Sequence, residues 1–202
     1  MARPPKFDDD EILDRAMSML WRNGWAQTSI RDLEAGLDIK APSIYRRIGS
    51  KEGLGAAVID HYVDRVVRGR VDRFLSGAGD PIDNLTTFLE RSVTQSGDGG
   101  RLWGCLLTTS GIEAGDADPP LVEARQRGFD VIEDGLRREV RRAAELGRLA
   151  RGVDPEEATA TLALVMQGLM ALSRSGASSA GLRRRARAAV STIASSAPTD
   201  RG

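Results

Sequence analysis

Three observations on this 202-residue chain predict an all-α fold. Apolar residues recur at three-to-four spacing along most of it. Helix starts are marked by Asp-Pro pairs and helix stops by glycine clusters. Strand signals are nearly absent, since no alternating β-branched run of useful length appears. About nine helices are expected, with no internal repeat.

Taken in order, Met1–Lys6 carries Pro4-Pro5 and reads as a loose arm. Ile12, Leu13, Ala16, Met17, Leu20 and Trp21 then form one apolar stripe. Asp8, Asp9, Asp10 and Glu11 suit the N-terminal dipole of that helix, and Gly24 marks its end. Residues 28–54 compress two very short helices, a tight turn and the start of a third helix, the signature of a helix-turn-helix that lays one helix in the DNA major groove. Ser29-x-x-Asp32 is a capping-box pattern opening the first of these helices, with Ile30, Leu33 and Leu37 facing inward. The turn falls around Gly36-Leu37-Asp38, where a left-handed residue is needed and Asp is tolerated. The second helix begins near Lys40 with Pro42 in its first turn. Ile39, Ile44 and Ile48 face inward, leaving Lys40, Ala41, Ser43, Arg46 and Arg47 outward.

Lys51 to about Ser76 reads as a long connecting helix, stopped by Ser76-Gly77-Ala78-Gly79. Asp80-Pro81 opens a helix carrying Ile82, Leu85, Phe88, Leu89 and Val93, and Ser96-Gly97-Asp98-Gly99-Gly100 breaks it. A short apolar segment, Leu102–Leu107, precedes the helix that Asp118-Pro119-Pro120 starts and Gly147 stops. Asp154-Pro155-Glu156-Glu157 combines cap, proline and first-turn acids ahead of the most apolar helix of the chain. A last amphipathic helix runs from about Ser179 to Ser195, and Ser196–Gly202 is expected to fray.

Composition sets the function classes. With 29 basic and 29 acidic residues the chain has no bulk attraction for polyanions, so nucleic-acid binding requires a local patch. Lys40, Arg46, Arg47 and Lys51, with no anion between Lys40 and Lys51, supply one. A single cysteine excludes an internal disulfide and fits a reducing cytoplasm, and no apolar run approaches membrane-spanning length, so a cytoplasmic protein without a membrane partner is expected. One His, one Cys, no nucleophile elbow, no phosphate loop and no metal-ligand cluster argue against an enzyme, and neither cofactor nor metal is expected.

The run Ile12-Leu13…Ala16…Gly24-Trp25…Thr28-Ser29-Ile30-Arg31-Asp32-Leu33, followed by Ile39…Ser43-Ile44-Tyr45 and Ser50-Lys51-Glu52…Leu54, resembles the N-terminal domain of the TetR family. It departs from the family pattern at Asp38, where glycine is usual in the turn, at Arg46-Arg47-Ile48, where an aromatic pair is usual, and at Leu20, where Phe is common. The resemblance implies a helix-turn-helix DNA-binding domain over residues 1–54 and a helical ligand-binding and dimerisation domain over residues 55–202. It implies that Lys40, Ala41, Pro42 and Ser43 approach base edges, with Ser29 and Arg31 beside them at the start of the motif. Thr28, Tyr45 and Lys51 would hold phosphates, Lys51 from a helix N-terminus capped by Ser50. Arg47 and Arg46 would reach a guanine edge.

The same resemblance places an effector pocket and a dimer seam in the second domain. Gly104-Cys105-Leu106, Ala144-x-x-Gly147-x-Leu149 and Gly168 are similar to a recurrent subset of the family. Phe88, Trp103, Cys105, Leu106, Phe129, Met166 and Met170 are the expected pocket lining, suited to a hydrophobic ligand, with core packing as the alternative. Leu162, Val165, Leu169, Leu172, Leu182, Ala186, Val190 and Ile193 are the expected dimer seam, with a monomer core as the alternative. Arg183–Arg185 reads as a solvated helix face or as a second anionic contact.

The leading expectation is a homodimeric repressor on a palindromic double-stranded operator, released by a small hydrophobic inducer; activation in place of repression stays open. Two other readings stay open, a thiol-based sensor of electrophiles or oxidants through Cys105 and a ligand-binding helical dimer that has lost operator binding.

Overall fold

The structure, a computed structural model, describes residues 9–48, 50–94, 102–115 and 118–195; at Asp9, Ile44, Tyr45, Arg47, Ile48 and Glu52 it describes the backbone alone. The N-terminal arm, the glycine break at 96–100 and the C-terminal tail lie outside these residues. Among the described residues all regular structure is helical: α1 (Asp9–Asn23), α2 (Ile30–Leu37), α3 (Ala41–Ile48), α4 (Lys51–Tyr62), α5 (Gly69–Phe74), α6 (Pro81–Ser92), α7 (Leu106–Ala114), α8 (Pro119–Glu145), α9 (Pro155–Arg174) and α10 (Ser179–Ser191). A π-helical turn, Val63–Arg68, joins α4 to α5, so the connecting helix expected from Lys51 changes hydrogen-bond register midway.

The Asp-Pro starts behave as the sequence implies. Asp80 Oδ1 accepts from the Ile82 and Asp83 backbone N–H groups, and Asp154 Oδ1 accepts from those of Glu156 and Glu157. Each carboxylate satisfies two of the N–H groups that a helix start leaves orphaned, while proline at the first position forgoes a third. Helix α7 is the element that periodicity passes over. Its sequence, LLTTSGIEA, is short and rich in residues that bond their own backbone: Thr109 and Ser110 hydroxyls donate to the carbonyls of Cys105 and Leu106. Burial holds it, since Leu106, Leu107, Thr108, Thr109 and Ser110 are all inside.

The chain forms two compact units, Met1–Arg65 with Cys105–Gly128, and Val66–Gly104 with Phe129–Gly202. In the first, α1 packs on α2 and α4, and α7 packs on α4. Trp21 meets Tyr62 edge to face at a centroid distance of 5.0 Å. In the second, α10 packs on both α6 and α9. An isolated antiparallel bridge, Leu149 to Ala194, ties the end of α10 to the loop after α8 and is a small departure from the all-helical expectation.

Candidate DNA interface

Helices α2 and α3 have eight residues each, too short to persist alone in water. Local chemistry compensates. Ser29 caps α2 reciprocally: its Oγ accepts from Asp32 N–H at 3.2 Å, and Asp32 Oδ2 accepts from Ser29 N–H at 2.8 Å and from the Ser29 hydroxyl at 2.6 Å. These bonds hold the Asp32 carboxyl below its ordinary value, the Ser29 hydroxyl contributing most. The turn comes where the sequence puts it, with Asp38 at φ 54°, ψ 38°, and Asp38 is the non-glycine residue with positive φ among those described. Glu34 Oε1 then accepts from Ala41 N–H at 2.6 Å, so a side chain of α2 satisfies the start of α3. That bond fixes one helix against the other.

The outward side of α3 and the residues flanking it is cationic. Arg31, Lys40, Pro42 and Arg46 are exposed, with Ala41 and Ser43 half-buried between them. Arg46 donates to Ser43 Oγ at 3.1 Å, which orients a guanidinium on the α3 face. Tyr45 and Arg47 occupy α3, and their side chains lie outside the described set. Ser50 caps α4 by accepting from Gly53 N–H, and Lys51 follows at the first helical position as expected. The Lys51 ammonium sits 4.8 Å from the Trp25 ring centroid, a cation–π contact that restrains the cation. A Cβ at Gly55 would fall 2.4 Å from Trp25 Cη2, so that ring is seated on α4 only because residue 55 is glycine.

Thr28 departs from expectation. It is fully buried, and its hydroxyl donates to the Gly24 carbonyl at 2.7 Å. Its side chain ties the α1–α2 loop together and does not face a phosphate. Ser29 stays exposed, although its hydroxyl is committed to the cap.

A residue that sequence reasoning missed steadies the same loop. Glu113 on α7 accepts from Ala26 N–H at 3.1 Å, and its carboxylate lies over Gly24, where a Cβ would come within 2.6 Å of Oε1. Gly24 also stands at φ 98°, so both space and backbone demand glycine. No local pattern announces a partner 87 positions away. Around it, Asp14 meets His61 at 2.7 Å, Asp60 binds Arg127, and Arg125 reaches the carbonyls of Ser110 and Gly115.

The residues expected to line a pocket are divided between the units: Cys105 and Leu106 belong to the first, and Phe88, Trp103, Phe129, Met166 and Met170 to the second. Phe88, Cys105, Leu106, Met166 and Met170 are buried, while Trp103 and Phe129 are half-buried. Cys105 is the N-cap of α7, and the Tyr62 hydroxyl donates to its Sγ at 3.7 Å.

The expected dimer seam needs correction. Leu162, Leu169, Leu182, Ala186, Val190 and Ile193 are buried within the single chain, where α9 and α10 pack, so they form its own core. Val165 is half-buried, and Leu172 alone of the set is exposed, at 43%. Helix α9 is apolar on more than one face, and periodicity does not say which face stays outside. The outward one carries Leu164, exposed at 69%, then Gly168 and Leu172 at four-residue spacing.

Residues 12–58 match the family described as bacterial regulatory proteins, tetR family, and residues 81–190 match the tetracyclin repressor-like C-terminal domain. The chain is 46% identical over 63 residues to the HTH-type transcriptional repressor ComR of Escherichia coli K12, covering 31% of this chain and 30% of ComR, so the match spans about a third of that relative. It is 27% identical over 149 residues to an uncharacterized HTH-type transcriptional regulator, YezE, of Bacillus subtilis 168, covering 74% of this chain and 76% of YezE. Among solved structures, a cysteine mutant of the TetR family regulator CifR, complexed with 26-bp double-strand operator DNA, superposes with a TM-score of 0.81 at 28% identity, covering 94% of this chain and 98% of CifR. Both halves of the chain match family domains and the fold matches throughout: the chain belongs to the TetR family of transcriptional regulators, which are not enzymes.

Proposed function

We propose that the protein is a homodimeric, cytoplasmic repressor that binds a palindromic operator and is released by a small hydrophobic inducer. Residues 1–54 read the DNA, and residues 55–202 bind the effector and dimerise, with α7 and the start of α8 packed into the reader's compact unit. The observation that carries this reading is the fixed α2–α3 pair, with an oriented Arg46 and exposed Lys40 in a stretch that has no acid between Lys40 and Lys51. Arg31, Lys40, Ala41, Pro42, Ser43, Tyr45, Arg46 and Arg47 contact DNA, and Lys51 holds a phosphate. Leu164, Gly168 and Leu172 offer the dimer surface, a smooth apolar strip onto which a second α9 fits. Two recognition helices on one duplex must stand about 34–36 Å apart, or a multiple of that. An inducer then acts by favouring dimers with a different separation.

The test is binding of the pure protein to duplexes from its own upstream region across a salt series, beside the variant Arg46→Ala/Arg47→Ala. Tight binding to one palindrome, falling steeply with salt and lost in the variant, is the expected result. Weak, sequence-independent binding unaffected by the variant overturns it. A second reading, a thiol sensor, draws on Cys105 at the start of α7 with a phenol donating to its sulfur. Release from the operator by oxidant in the native protein, abolished by Cys105→Ser, would favour it.

A further inference from the structure

The second unit carries a polar cavity away from the residues expected to meet an inducer. It lies between α6 and α10, has a volume of about 320 Å³, and is lined by Thr87, Glu90, Arg91, Thr94 and Arg183. On α6, Glu90 and Arg91 stand three and four positions after Thr87, so the three share one helix face, and Thr94 follows two residues past the helix end. On α10, Leu182, Ala186 and Val190 are buried, and Arg183 and Arg187 each follow a buried residue along the edge that meets α6.

The charges are unbalanced. Among the described residues of the lining Glu90 is the only acid, and Arg187 already pairs with it. Among the described residues the guanidiniums of Arg91 and Arg183 have no ion-pair or hydrogen-bond partner, and α10 contains four arginines and no acid. Two guanidiniums without counterions on one concave surface repel each other, which an anion between them would reverse. The lining offers the N–H groups of both guanidiniums and the Thr87 hydroxyl, more donors than a single carboxylate with about four lone-pair sites accepts, while the Thr94 hydroxyl donates to the Arg91 carbonyl at 3.2 Å. A phosphate group, with more oxygens and up to two charges, matches this set better.

We propose that the α6–α10 cavity is a binding site for a small phosphate-bearing molecule, held by Arg91 and Arg183 with Thr87 donating from the α6 face. Glu90 takes no part in holding the anion. Its bond to Arg187 fixes the edge of α10 and keeps that carboxylate from competing for Arg183. This site is separate from operator binding and stands or falls without it.

The experiment is calorimetric titration of the full-length protein with inorganic pyrophosphate at physiological salt. Saturable binding of one pyrophosphate per chain is expected, weakened at least tenfold in Arg91→Gln/Arg183→Gln. Arg184→Gln, an exposed arginine outside the lining, and Arg46→Gln, on the α3 face, retain wild-type affinity. Circular dichroism verifies that each variant is folded; because both substituted arginines lie at the surface edge, loss of fold is not expected, and the single variant Thr87→Val, with a smaller loss, provides a second reading. No saturable binding, equal binding by the double variant, or equal losses in Arg184→Gln or Arg46→Gln overturns the site. Binding of succinate in preference to pyrophosphate overturns the phosphate assignment.

Discussion

Two pairs of helices, α2–α3 near the start of the chain and α9–α10 near its end, are held by different means. The first pair is eight residues and eight residues long and depends on polar contacts: the Ser29–Asp32 box, the left-handed Asp38 and the Glu34–Ala41 bond. The second pair runs to 20 and 13 residues and depends on burial of Leu162, Met166, Leu169, Met170, Leu182, Ala186 and Val190. Hydrogen bonds across one turn fix geometry without much stability, whereas buried apolar area supplies stability and leaves the outer face free to vary. A DNA reader needs the first arrangement, because base edges demand a fixed helix spacing. The region proposed to sense an effector and dimerise tolerates the second.

That contrast is broken most severely from the core. Leu162→Ala leaves a cavity in a residue with no exposure and is expected to cost about 2–5 kcal/mol, measured by denaturant unfolding. A cost below about 1 kcal/mol would mean that Leu162 lies at a seam and not in the core. Next in size is the proposed dimer: Leu164→Arg/Leu172→Asp should leave the helical content unchanged and convert that dimer to monomer, read by analytical ultracentrifugation. An unaffected dimer would move the interface off α9.

Smaller effects belong to the polar pair. Glu113→Ala removes the acceptor of Ala26 N–H and is expected to cost about 1 kcal/mol and to loosen the α1–α2 loop, seen as faster amide exchange at Ala26. Ser29→Ala removes the cap of α2, also at about 1 kcal/mol. The box has a pH signature of fixed sign. Because the folded carboxyl of Asp32 is held below its ordinary value, the contribution is complete above the ordinary carboxylate range and disappears as pH falls through the lowered value. Ser29→Ala should flatten that acid limb of the stability curve. An unchanged limb would show that the bonds do not persist in solution.

The reader was legible because its signals are local. Ser29, Asp32, Asp38 and Ser50 each act within four residues of their own position, and each is found in the role that its spacing implies. The second half was legible as elements, since Asp80-Pro81 and Asp154-Pro155 announce their helices. Its surfaces were not. The stripe Leu162–Leu169 and the strip Leu164–Leu172 are both apolar in sequence, and only the position of α10 turns one inward and leaves the other outside. Thr28 likewise reads as an outward hydroxyl until its place beneath the α1–α2 loop is seen.

By itself, then, the sequence determined the all-helical class, the helix-turn-helix with its turn at Asp38, and the cationic stretch from Lys40 to Lys51. Tertiary structure alone decided which apolar face of α9 is core, that Glu113 steadies the reader's loop, that α7 is a helix, and that Arg91 and Arg183 line one cavity. The division has a physical cause: capping and turn chemistry act between neighbours a few bonds apart, whereas burial and charge pairing depend on partners that only the folded chain brings together.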